Sequence, residues 1–139
     1  MNARFLLCAE SIAVDQRRNS LSLFHIIEEL NIAAFPIAIP YMAVVAMFDR
    51  TLEEPSDPEG VELTIFLGNQ EISRGAMRLN FQGHLSMKAI YEVGGLVLAG
   101  PGTLEVAVTL ENRKLATWPI TLKNIGQPVV QAELPLRTN

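Results

Sequence analysis

Leu30-Asn-Ile-Ala-Ala-Phe-Pro-Ile-Ala-Ile-Pro-Tyr-Met-Ala-Val-Val-Ala-Met-Phe48 contains no charged residue between Glu29 and Asp49. Its length alone would let it cross a bilayer as a helix. Pro36 and Pro40 stand against that reading from the middle of the stretch, since each removes a backbone donor and clashes with the preceding turn. No Lys/Arg cluster marks one flank as the inner side. The stretch reads instead as a strand, a proline-bounded crossing and a second strand, Tyr41–Arg50. Both faces of that second strand are apolar: Tyr41, Ala43, Val45 and Met47 alternate with Met42, Val44, Ala46 and Phe48.

On either side the period stays at two. Val61, Leu63, Ile65 and Leu67 alternate with Glu62, Thr64, Phe66 and Gly68, and Leu104, Val106, Val108 and Leu110 with Glu105, Ala107 and Thr109. Each pattern places apolar side chains on one face of a half-buried strand. Leu115–Leu122 reads as the returning arm of a hairpin, and Pro119 makes that arm an edge strand or one that carries a bulge. Further strands are expected at Phe5–Val14, Leu21–Ile32, Ile72–Phe81 and Leu85–Val93, with a helix over Leu21–Leu30 as the one competing reading. Turn signals every ten residues or so separate these runs. The glycines of Gly94–Gly102 lack both the Gly-Lys-Ser/Thr of a phosphate-binding loop and a following helix, and read as a tight connection. The expected fold is therefore all-β: one antiparallel β-sandwich of seven or eight strands over residues 1–139, with little or no helix.

Composition narrows the function classes. Hydrophobic residues make up 49% of the 139 and charged residues 19%, against roughly 25% charged in average soluble domains. A disordered segment needs the opposite balance. Eleven Lys and Arg against fifteen Asp and Glu give a net charge of −4, unsuited to a phosphate-backbone binder, so no nucleic-acid partner is expected. The single cysteine, Cys8, makes no internal disulfide. Only Phe5, Leu6 and Leu7 separate Arg4 from Cys8, too few for the apolar core of a secretory leader. A cytoplasmic location without membrane attachment is the expectation.

Several segments together resemble a known family. They are Phe5-Leu-Leu-Cys-Ala-Glu10, Leu30-Asn-Ile32, Phe35-Pro-Ile-Ala-Ile-Pro40, Met42-Ala-Val-Val45, Gly100-Pro-Gly-Thr-Leu-Glu-Val106 and Leu115-Ala-Thr-Trp-Pro-Ile120. The chain is similar, over nearly its whole length, to a family of uncharacterised bacterial single-domain proteins, a domain of unknown function with a β-sandwich fold. The shared features are prolines, a glycine turn and apolar strands. The resemblance implies the fold and carries no catalytic residue.

Chemistry-bearing residues are few. His25 and His84 lack the paired spacing of a zinc site. Cys8 lies in an apolar strand, where a free thiol behaves as a small hydrophobe. Asp49, Glu53, Glu54, Asp57 and Glu59 surround one long loop and form a weak calcium candidate without the spacing of an EF-hand. Arg74 and Arg78 share a strand parity and form a weak anion contact. No cofactor is expected.

The apolar strand faces lead to the expectation of a non-enzymatic interaction or assembly module. It would self-associate or bind a protein partner through those faces and a strand edge, with Phe5, Leu7, Tyr41, Ala43, Val45 and Met47 at the interface. A second reading is a small-ligand or carbohydrate-binding sandwich using Trp118, Tyr41 and Tyr91. A third is a hydrolase-like enzyme built on His25, His84 and Glu28 or Glu29.

Overall fold

Alternation at period two gives each strand one face to bury, and two sheets meet on those faces. The computed structural model describes residues 1–126, over which nine strands follow one another with no helix. They are β1 (Asn2–Asp15), β2 (Ser20–Ile26), β3 (Glu29–Ile32), β4 (Ile37–Asp49), β5 (Val61–Leu67), β6 (Gln70–Ala76), β7 (Ser86–Leu98), β8 (Gly102–Leu110) and β9 (Arg113–Asn124). The first sheet has the order β2-β1-β4-β7 and the second β3-β9-β8-β5-β6. All pairings are antiparallel except β3 with β9. The expected all-β sandwich is present, with nine strands in place of seven or eight. None of the described residues forms a helix long and apolar enough to cross a membrane.

The additional strand arises because Leu21–Ile32 is two strands in different sheets. A turn in which the Asp15 carboxylate accepts the Arg17 amide (3.0 Å) lays β2 back on β1, Leu21 opposite Val14, which excludes the helical alternative. Between Ile26 and Glu29 the chain changes sheet. Ile27 N donates to Cys8 O at 2.8 Å, while Thr121 N, in β9, donates to Glu28 O at 3.0 Å. The indole of Trp118 fastens this junction by donating to Ile27 O at 2.8 Å.

The uncharged stretch resolves into strand, crossing and strand. The second strand starts four residues before the expected Tyr41 and takes in Pro40, which therefore does not bound the crossing. β3 ends at Ile32, the crossing contains a cis Phe35–Pro36 bond, and β4 starts at Ile37 in the other sheet. β4 is central, flanked by β1 and β7. Its Met42, Val44, Ala46 and Phe48 face inward and are buried with Leu6, Cys8 and Val93 from the same sheet and Val61, Leu63, Ile65, Leu104, Val106, Val108, Ile120 and Leu122 from the other.

Two local expectations need correction, and one about Pro119 holds. β6 stops at Ala76, so Arg78 is not in a strand with Arg74; Met77, Leu79 and Phe81 are buried beyond it in irregular backbone. β7 runs on through Gly94 and Gly95 to Leu98, so these glycines belong to a strand and not to a connection. Gly95 takes φ +66 opposite Pro40, where a side chain would be strained and the proline has no amide to pair. Pro119 lies in β9, which has β3 beside it only at Thr121–Asn124, so Arg113–Ile120 has one open side. The same strand carries a bulge at Leu115, since Val108 faces Ala116 while Thr109 faces Lys114.

Candidate interaction surface

The first sheet has an outer face that the sandwich does not cover, and part of the chain folds back onto it. β1 pairs with β4 only as far as Ala9–Ala43; from there it continues as a hairpin paired with β2 alone. The hairpin bends where His25, at φ +56, stands opposite Glu10. Histidine is among the side chains that tolerate the left-handed region, and its Nδ1 lies 2.9 Å from Glu10 Oε1. Beyond the bend the tip reaches β7. Lys88 Nζ donates to Asn19 O at 3.1 Å, and Val14, Asn19, Ser20 and Leu21 line a hollow with Lys88 and Ile90. To reach β7 from β1 the hairpin passes over β4.

That path explains the second apolar face of β4. Ala43 and Val45, and Ala9 beside them, are outside the inter-sheet core yet 0% exposed. A second copy of the chain could not touch Ala43 or Val45 without displacing the hairpin, so these two leave the set of expected interface residues. Met47 and Leu7 are half-buried, while Phe5 and Tyr41 are exposed. The large apolar side chains exposed in strands all belong to this sheet among the described residues: Phe5, Val14, Phe24, Ile26, Ile37, Tyr41, Ile90 and Val97. None lies in a strand of the second sheet; Leu52, Leu85 and Ile125 are in connections.

The polar candidates are engaged within the chain. Arg4 and Ser86 both bind the Asp49 carboxylate, Arg4 Nη2 at 2.6 Å and Ser86 Oγ at 2.5 Å, and hold its pKa below the ordinary value. The N-terminal ammonium and the Thr51 amide do the same for Glu54. Glu53, Asp57 and Glu59 are exposed. Among the described residues no three His, Cys, Asp or Glu side chains converge as metal ligands would. Arg74 is held by Glu71 (3.1 and 2.7 Å) and Glu62 (2.5 Å), which occupies the donors an anion would need.

The aromatic and histidine candidates are dispersed. Trp118 is half-buried with its N–H committed to Ile27 O. Tyr91 packs against the core, and its hydroxyl fills the space where a side chain at Gly75 would stand. Tyr41 Oη donates to Glu92 Oε2 at 2.9 Å, which raises the phenol pKa. His25 pairs with Glu10, not with Glu28 or Glu29; the Glu29 carboxylate pairs with Lys123 at 3.1 Å. His84 sits in a turn and offers its carbonyl to Arg50 Nε at 2.8 Å. Cys8 is wholly buried, and burial pushes its thiol up to about 12.

Residue reasoning missed Glu10 at the bend and Phe24, Ile26, Lys88, Ile90 and Glu92 on the outer side of the first sheet. The alternation of Leu85–Val93 could have shown the last three as one strand face. No protein-family model matches the chain, and no curated protein matches its sequence.

Proposed function

We propose that the chain is a non-enzymatic assembly module that associates with itself through the four-stranded sheet. The observation that carries this reading is the asymmetry between the sheets: every large apolar side chain exposed in a strand, among the described residues, is on the first. Scattered exposed hydrophobics are ordinary, whereas their concentration on one sheet marks a surface suited to a partner. The interface differs from the one read off the sequence alone. Phe5 and Tyr41 remain in it, Ala43 and Val45 lie under the hairpin, and Phe24, Ile26 and Ile90 join it. Size-exclusion chromatography with light scattering tests the reading. Association that strengthens over micromolar concentrations supports it; a strict monomer throughout that range refutes it.

A further inference from the structure

Four strands end the two sheets: β2 and β7 in the first, β3 and β6 in the second. An edge offers unpaired amides and carbonyls to any further strand unless something blunts it. β3 is only four residues long. β2 carries His25 at positive φ, where the Glu10–His25 pair drops out of its ladder with β1. β6 carries an extra residue, Ile72, against β5, since Ile65 faces Ser73 while Phe66 faces Glu71. From Ser86 to Gly94 β7 has no proline, no bulge in its register with β4 and no residue at positive φ.

The charges along that stretch complement their own reversal. Lys88, Ile90 and Glu92 alternate onto the outer face, level with Met47, Val45 and Ala43 of β4. Lys88 and Glu92 are exposed, and Ile90 is 40% exposed. Each of the two charged residues has one hydrogen bond inside the chain, Lys88 Nζ to Asn19 O and Tyr41 Oη to Glu92 Oε2. Let a second β7 run antiparallel about a twofold axis through Ile90. Lys88 of each copy then faces Glu92 of the other, and the two Ile90 side chains meet on the axis. Directly opposed opposite charges and apolar pairs are what stabilise adjacent strands. A slip of two residues sets one charge against Ile90, and a slip of four sets Lys88 on Lys88 or Glu92 on Glu92. One register satisfies all three residues.

We propose that two copies of this chain pair through β7 in that register, joining two four-stranded sheets into one of eight strands. This rests on the self-association reading and places the contact at the β7 edge around Ile90. Phe5, Phe24 and Ile26, two or three strands away in the order β2-β1-β4-β7, stay outside the paired strands. The test compares the wild-type chain with Lys88→Glu, Glu92→Lys and the double exchange by sedimentation equilibrium, with circular dichroism confirming that each variant folds. By symmetry each single reversal creates two like-charge pairs, so dimerisation weakens about tenfold, and the exchange restores it. A second measurement is disulfide capture. Ile90→Cys links two chains under mild oxidation because residues on the axis face each other within disulfide reach, whereas Val97→Cys does not. A wild-type monomer overturns both the register and the self-association reading. A wild-type dimer that ignores the reversals, is not restored by the exchange, or links through Val97→Cys as readily as through Ile90→Cys overturns the register alone.

Discussion

Val45→Ala measures whether the hairpin covers the outer face of β4. Val45 is 0% exposed although it faces away from the inter-sheet core. The substitution removes two carbon atoms, worth roughly 0.8 kcal/mol each when buried, and the space left behind adds to the loss. The expected cost is about 2 kcal/mol, or about 6 °C in melting temperature for a domain of this size. Val97, 60% exposed on the same sheet, is the control: its change to alanine costs less than about 0.5 kcal/mol. Urea unfolding followed by circular dichroism, at a concentration where the chain is monomeric, reads both. If Val45→Ala were as mild as Val97→Ala, the hairpin would not shield β4 and the outer face would be open in the single chain.

Three further outcomes follow from individual contacts. Trp118→Phe leaves the Ile27 carbonyl without its indole partner at the sheet junction, and urea midpoints should show a loss of about 1–2 kcal/mol. A loss below a few tenths would mean that water replaces the indole freely. Burial pushes the Cys8 thiol up to about 12 from an ordinary value of 9.0, so the unfolded chain releases this proton at lower pH than the folded one. Stability is therefore intact below pH 9 and falls as pH rises from there toward 12; Cys8→Ala removes that part of the slope, and an unchanged slope would contradict it. Asp49, held below its ordinary 3.8 by Arg4 and Ser86, contributes stability above that value and loses it as pH falls through the lowered pKa. Asp49→Asn should flatten the acid limb of the urea midpoint, and an identical acid limb would count against the Arg4–Asp49–Ser86 contact.

The strands were legible because each must bury one face, and that requirement is written locally at period two. Val61–Leu67 and Gly102–Leu110 lie where the alternation puts them. The change of sheet at Ile27 left no such trace. It depends on Trp118, far along the chain, reaching back to one carbonyl, and pairing of that kind has no local signature. The two apolar faces of β4 were visible, but what covers the outer one was not. A strand covered by another subunit and one covered by its own hairpin have the same composition, and the bend at Glu10 and His25 turns on one backbone torsion. The histidines and carboxylates suffered the reverse problem. Residue types suited to chemistry were present, while their partners, Glu10 for His25 and Arg4 with Ser86 for Asp49, were fixed only by strand pairing.

Sedimentation equilibrium of the wild-type chain across micromolar concentrations tests the self-association claim most directly. The expected result is a reversible shift from the 15.3 kDa monomer toward twice that mass as concentration rises. A single 15.3 kDa species at every concentration would contradict it.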